Sequence, residues 1–243
     1  MKNFLTGNLK RLANVIEHPE LINTIGKNIN RNFVANNLLL KKIFLTEPNT
    51  IFDIGAAIGE WTKSARYTYP NSTIYAFEPI YESFQKLLKL KITDDKLILF
   101  NCALSNKNGI TNFNLNEFSF SSSLLEMTNT HKEIFPFTKN DHNIQVECLR
   151  FDSISNINII KPAFLKMDVQ GAELLVLQGC GSLIDNIDFI ELELNFEHFY
   201  KGQASYSEIF HFMSQNGFNG FLQINPQYQN TKLLYCDMLF FRQ

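Results

Sequence analysis

Several large functional classes are absent from this 243-residue sequence. No run approaches the ~18 consecutive apolar residues of a membrane span. The first twenty residues contain no continuous apolar stretch and no small-residue cleavage site, so no signal peptide is expected and the cytoplasm is the expected location. The four cysteines, Cys102, Cys148, Cys180 and Cys236, are far apart and form no C-x-x-C pair. They read as reduced, buried thiols. The formal net charge is only −2, so no global basic field exists to hold nucleic acid or an anionic membrane. P-loop, G-x-S-x-G and H-E-x-x-H motifs are missing, and His18, His131, His142, His198 and His211 show no metal-ligand spacing. No metal is expected; a carboxylate pair such as Asp168 and Glu193 would be the only guess at Mg²⁺.

What is present divides at about residue 46. Residues 1–46 read as a helical extension: Leu5, Leu9, Leu12 and Ile16 recur at helical spacing, as do Leu21, Ile25 and Ile29. Packing of these stripes on the main domain, or on a second copy in a homo-oligomer, is favoured over a membrane surface. Residues 47–243 read as one α/β domain. Expected strands are Thr50 to Ile54, Ser72 to Phe77, Leu97 to Phe100, Ala163 to Met167, Phe189 to Leu194, Phe218 to Gln223 and Leu234 to Phe241. Expected helices begin near Gly59 and run over Tyr81 to Leu90, Ala172 to Gln178 and Ser205 to Asn216, the second with Phe84, Leu87 and Leu88 on one face. Strands separated by helices predict a mostly parallel sheet covered on both faces. Residues 105–162 are polar, break the alternation, and are expected as extra strands and loops at the mouth of a site.

The glycine turn Asp53-Ile54-Gly55-Ala56-Ala57-Ile58-Gly59 follows the first strand, where open parallel sheets bind ligands. It lacks the second glycine of G-x-G-x-x-G, and its acid would repel a pyrophosphate. Asp53 instead suits a ligand with positive charge, such as the ammonium and sulfonium of S-adenosylmethionine. Glu78, 19 residues after Gly59, ends the second strand and is placed to accept hydrogen bonds from ribose hydroxyls.

With IFDIGAAIGEWT, AFEP, SFSSSL, FLKMDVQGAELLVLQG, ELELNFEHFYKGQ and DMLFF, the chain resembles the FkbM-type methyltransferases from about Thr50 to Phe241. That resemblance implies a Rossmann-like class I fold with a seven-stranded sheet, S-adenosylmethionine as cofactor, and O-methylation of a sugar, glycan, glycolipid or natural-product hydroxyl. It implies that Asp53, Gly55, Ala56, Gly59 and Glu78 hold the cofactor, with Asn101 and Ala103 beside the adenine. An NAD-dependent oxidoreductase and a non-catalytic cofactor binder are the alternatives.

Methyl transfer from a sulfonium is an in-line displacement, and an aliphatic hydroxyl needs a base. Asp168, ending a central strand at the ligand edge, is the leading candidate and a further cofactor contact; its structural alternative is a helix N-cap. Glu173 has the alternative of a first-turn acid. Glu191 and Glu193 project from one face of a strand. Glu193 is expected to face the site, and Glu191 to meet a lysine or arginine on a covering helix. His198 and Tyr200 are further candidates for acceptor binding or deprotonation, and Ser121, Ser122 and Ser123 offer hydroxyls.

Overall fold

The computed structural model describes residues 19–24, 27–44, 46–117 and 121–242. The stripe Leu5, Leu9, Leu12 and Ile16 lies outside the described residues, as does Ile25. A 3₁₀ turn, Pro19–Thr24, precedes helix α1 (Arg31–Ile43), whose N-cap Asn30 accepts the amide of Asn32. Then strands and helices alternate: β1 (Thr50–Ile54), α2 (Glu60–Thr68), β2 (Thr73–Phe77), α3 (Tyr81–Lys91) and β3 (Leu97–Phe100). After an insertion come β7 (Ala163–Met167), α5 (Glu173–Gly179), β8 (Phe189–Asn195) and α6 (Tyr206–Gln215). The closing hairpin is β9 (Gly220–Gln229) and β10 (Lys232–Phe241).

These strands form one seven-stranded sheet in the order β3-β2-β1-β7-β8-β10-β9. The first five are parallel, and β10 inserts antiparallel between β8 and β9. Strands buried on both faces read as apolar runs, and all five residues of β1 are buried. One face packs Phe52, Ile54, Phe77 and Ile190 against Val176 of α5 and Met213 of α6. The other packs Ile51, Ile74 and Phe164 against Leu40 of α1, Trp61 of α2 and Leu87 of α3. All four cysteines are buried and unpaired. No helix among the described residues is long and apolar enough to cross a membrane.

Three local expectations need correction. Leu88 is not on the packed face of α3: it is exposed, and Ser83 and Leu87 are the buried residues. One step along a helix rotates the side chain by about 100°, which carries Leu88 past the sheet. Strand β9 runs six residues beyond Gln223, because hairpin pairing with β10 uses backbone groups and needs no apolar pattern. The insertion also splits in two. Its β4 (Ala103–Leu104), β5 (Gly109–Asn116), α4 (Asn129–Ile134) and β6 (Asp141–Leu149) build a small second sheet and helix beside the carboxyl edge. Residues 151–162 instead pass beneath the main sheet. There Phe151 packs on Phe52 and Phe77, and Ile160 donates to the Thr50 hydroxyl at the opposite end of β1.

Candidate active site

The glycine turn is clamped between its neighbouring strands. The Gly55 and Ala56 amides both donate to the Phe77 carbonyl (3.0 Å each), while the Asp168 amide donates to the Ile54 carbonyl (3.0 Å). Gly55 has φ +78°, and a Cβ there would lie 2.1 Å from the Asp168 carbonyl oxygen, so only glycine allows β1 and β7 to meet this closely. Ala57, at φ +47°, donates its amide to Glu78 Oε2 (2.8 Å). Glu78 Oε1 accepts the Ile80 amide (2.8 Å). A pocket opens over this turn, walled by Gly55, Ala57, Glu78, Ile80, Cys102 and Ala103, with Leu104, Phe113, Ser122, Asp168 and Gln170 completing it.

Not every expected cofactor residue reaches this pocket. Asp53 is fully buried, accepting the Thr62 hydroxyl (2.6 Å) and pairing with Lys166 Nζ (3.4 Å), so its charge is already answered within the protein. Ala56 is buried in the α1–α3 core, and Gly59, at φ +79°, starts α2 against Leu87 and Leu90. Asn101 donates to the carbonyls of Glu78 and Pro79 (2.8 and 3.2 Å), which pins the Glu78 turn to β3 from outside. Gly55, Glu78, Ala103 and Asp168 do line the pocket.

A second pocket lies beyond Asp168. It is lined by Asp168, Gln170, Glu193, Tyr200 and Ser121, and by His131, Phe135, Phe137, Phe199 and Tyr235. Asp168 is exposed into it and caps no helix: α5 starts after Ala172 with no side-chain cap. Instead Gln170 Nε2 donates to Asp168 Oδ1 (2.6 Å), and the Tyr200 hydroxyl donates to Gln170 Oε1 (2.6 Å). His131 Nε2 lies 3.4 Å from that hydroxyl. Its Nδ1 lies 3.1 Å from the Thr138 hydroxyl, which ties the ring to the turn after α4. Burial holds His131 neutral, its pKa lowered to about 4, with Lys132 adding to the effect. Gln170 sits at φ +55°, and the Tyr200 ring fills the space where Gly171 has no side chain. Ser123 fastens the same turn by donating to the Gln170 carbonyl (2.7 Å).

His198 is not brought to this site. It is exposed, lines neither pocket, and contributes only its carbonyl to the Thr128 hydroxyl. The ring that does reach the site is His131, from the insertion. Glu173 is buried and accepts the Gly171 amide (3.1 Å), so it braces the turn. Among the described residues, Glu191 meets no covering-helix cation. Its facing residue is Lys166 on the adjacent strand, and its Oε2 has no partner. Among the described residues, no group of three His, Cys, Asp or Glu is arranged to hold a metal.

Burial raises several of these carboxyls. Glu78 is pushed up to about 7 by desolvation, against the opposing amides of Ile80 and Ala57. Glu173 also reaches about 7, and Glu191 about 8, each through burial first. Glu193 is raised by burial, then by the Asp168 and Glu173 carboxylates. A folded-state pKa above the unfolded value means that the native protein holds more protons, so stability falls as pH rises through it. Buried His131 has the reverse sign and costs stability only below about pH 6.5. Lowering the pH from 8 to 6.5 should therefore stabilise the ligand-free protein by on the order of 2–3 kcal/mol. Thermal melts across that window check this, and a melting temperature that falls on acidification refutes it.

A seven-stranded sheet of this order, with a glycine turn after β1 and an acid after β2, defines the Rossmann-like class I methyltransferase fold. The chain belongs to the methyltransferase FkbM domain family, which it matches over residues 53–219. It is 27% identical to the 2-O-methyltransferase NoeI of Sinorhizobium fredii over 161 residues, covering 63% of this chain and 66% of that one. It is 24% identical over 154 residues to the hexuronic acid methyltransferase AglP of Haloferax volcanii, covering 61% of this chain and 57% of the relative. Among solved structures, the methyltransferase FkbM from Methylobacillus flagellatus superposes with a TM-score of 0.52 at 13% identity, covering 94% of this chain and 60% of that one.

Proposed function

We propose that this chain is an S-adenosylmethionine-dependent O-methyltransferase acting on a sugar hydroxyl, with residues 47–243 as its catalytic unit and 1–46 as an extension. The observation that carries this is a shared wall: Asp168 and Gln170 line both the pocket over the glycine turn and the aromatic pocket beyond it. A base at that wall reaches an acceptor on one side while the methyl donor lies on the other.

The donor set fits the cofactor. Each Glu78 oxygen already accepts one amide, and the carboxylate keeps two further acceptor sites for ribose hydroxyls. Ile80, Cys102, Ala103 and Phe113 form an apolar slot suited to adenine. When bound, S-adenosylmethionine supplies an electrophilic methyl on sulfur. The protein's own work is positioning and proton transfer. Asp168 takes the proton of the acceptor hydroxyl, and Gln170, held by Tyr200, fixes which way the carboxylate points. The names of NoeI and AglP support a sugar acceptor.

Calorimetry tests the cofactor assignment. S-adenosylhomocysteine should bind and NADH should not; the opposite pattern returns the chain to the oxidoreductases. Glu78→Gln should weaken S-adenosylhomocysteine by about tenfold, the worth of one charge-assisted hydrogen bond. Glutamine is preferable to alanine because Glu78 also holds the Ala57 and Ile80 amides. Labelled methyl appearing in a sugar product, by mass, separates an enzyme from a non-catalytic binder.

A further inference from the structure

We infer that the pocket beyond Asp168 selects an uncharged sugar ring and rejects acceptors that carry a carboxylate or phosphate beside the methylated hydroxyl. Resting on the sugar O-methyltransferase assignment above, this adds the acceptor's charge to it.

The lining residues divide into two kinds. Asp168, Glu193, Gln170, Tyr200 and Ser121 supply oxygens and one amide; Phe135, Phe137 and Tyr235 supply rings that are half-buried or exposed. Among the described residues no lysine or arginine lines it, and His131 is held neutral by burial. Four lysines near the pocket are paired with other groups. Lys166 is absent from this lining and pairs with Asp53 (3.4 Å), with Asp168 and Glu191 also near it. On the elements around the pocket, Lys132 pairs with Asp141, Lys201 with Glu126 and Lys232 with Glu197.

An anion in this pocket would be desolvated beside Asp168, with no lysine or arginine among the described lining residues to answer it. Like charges in a partly water-excluded cleft repel strongly enough to decide selectivity. An ammonium would have the opposite fault. It would pair with Asp168 and occupy the carboxylate that must receive the hydroxyl proton. A neutral ring escapes both penalties: its C–H faces lie against aromatic rings, and its hydroxyls meet Gln170, Tyr200 and the carboxyls. This separates the chain from its relative named as a hexuronic acid methyltransferase.

The test uses the full chain saturated with S-adenosylhomocysteine, titrated with matched pairs of methyl glycosides. Methyl glucoside, galactoside and mannoside are each compared with the corresponding methyl uronide, which differs only in a carboxylate at C6. In at least one pair the neutral member should bind roughly tenfold or more tightly, the scale of an uncompensated like-charge contact. Asp168→Asn, which keeps the side chain's shape, should narrow that gap by strengthening uronide binding, and Glu193→Gln provides a second such variant. Uronides that bind as tightly as their neutral partners overturn the inference and leave sugar methylation standing. A gap unchanged in both folded variants also overturns it, since discrimination would then not come from pocket charge. If no member of any pair binds, the sugar assignment fails and takes the inference with it.

Discussion

Asp168→Asn should lower turnover by roughly 10²–10⁴-fold, the usual worth of a positioned base, with little change in melting temperature or cofactor affinity. The asparagine carbonyl can still accept the Gln170 amide, so the turn and its Tyr200 support should survive. A capping role would predict a normal rate and intact stability for asparagine, since Asn caps as well as Asp. The structure removes that alternative independently, because α5 has no side-chain cap. Single-turnover rates with an acceptor that the wild-type protein methylates decide the matter. A near-normal rate would end the assignment of Asp168 as base and make Glu193 the next candidate, the other carboxyl in the same pocket.

Gly55→Ala should unfold the site from beneath. The added methyl would meet the Asp168 carbonyl oxygen at 2.1 Å, and the backbone is at φ +78°, where an alanine is strained. Neither neighbour is a flexible side chain that could swing away. The β1 turn must separate from β7, and the Asp168 amide bond to Ile54 is in its path. A cost of about 3 kcal/mol is expected from left-handed strain plus the clash, or roughly 6–12 °C in melting temperature for a domain of this size. S-adenosylhomocysteine binding should be lost as well. Retention of both stability and binding would mean that the turn has room the geometry denies.

Much of this architecture was legible in the residues. The strands β1, β2 and β7 are short, largely apolar runs, and those positions lie where a parallel sheet buries both faces. Helix α6 announces itself through Ser205 and Glu208, which form the reciprocal cap seen in the structure. Among the site residues, Gly55, Glu78 and Asp168 stand at strand ends, and strand ends are where such sheets present their ligands. Tyr200 and Ser121 also reach the second pocket as candidates for acceptor contacts.

The surroundings of other residues were not legible, because sequence position says nothing about which groups are already satisfied. Asp53 looks like a free acid at a strand end, but parallel register sets Lys166 directly beside it on β7. Asn101 spends its amide on the Glu78 and Pro79 carbonyls, a pairing that no local pattern announces. His131 carried no signal at all: it lies 37 residues before Asp168 in the chain, within a polar insertion without periodicity. Only the docking of α4 against Phe199 and Tyr200 brings it to the site.

The sequence by itself therefore determined the fold and the ligand edge, because burial patterns and glycine turns are local properties of the chain. Tertiary structure alone decided which acids are paired, which remain open, and that His131 rather than His198 lines the second pocket. Those outcomes depend on strand register and on long-range closure of the insertion over the sheet, and no window of consecutive residues encodes either.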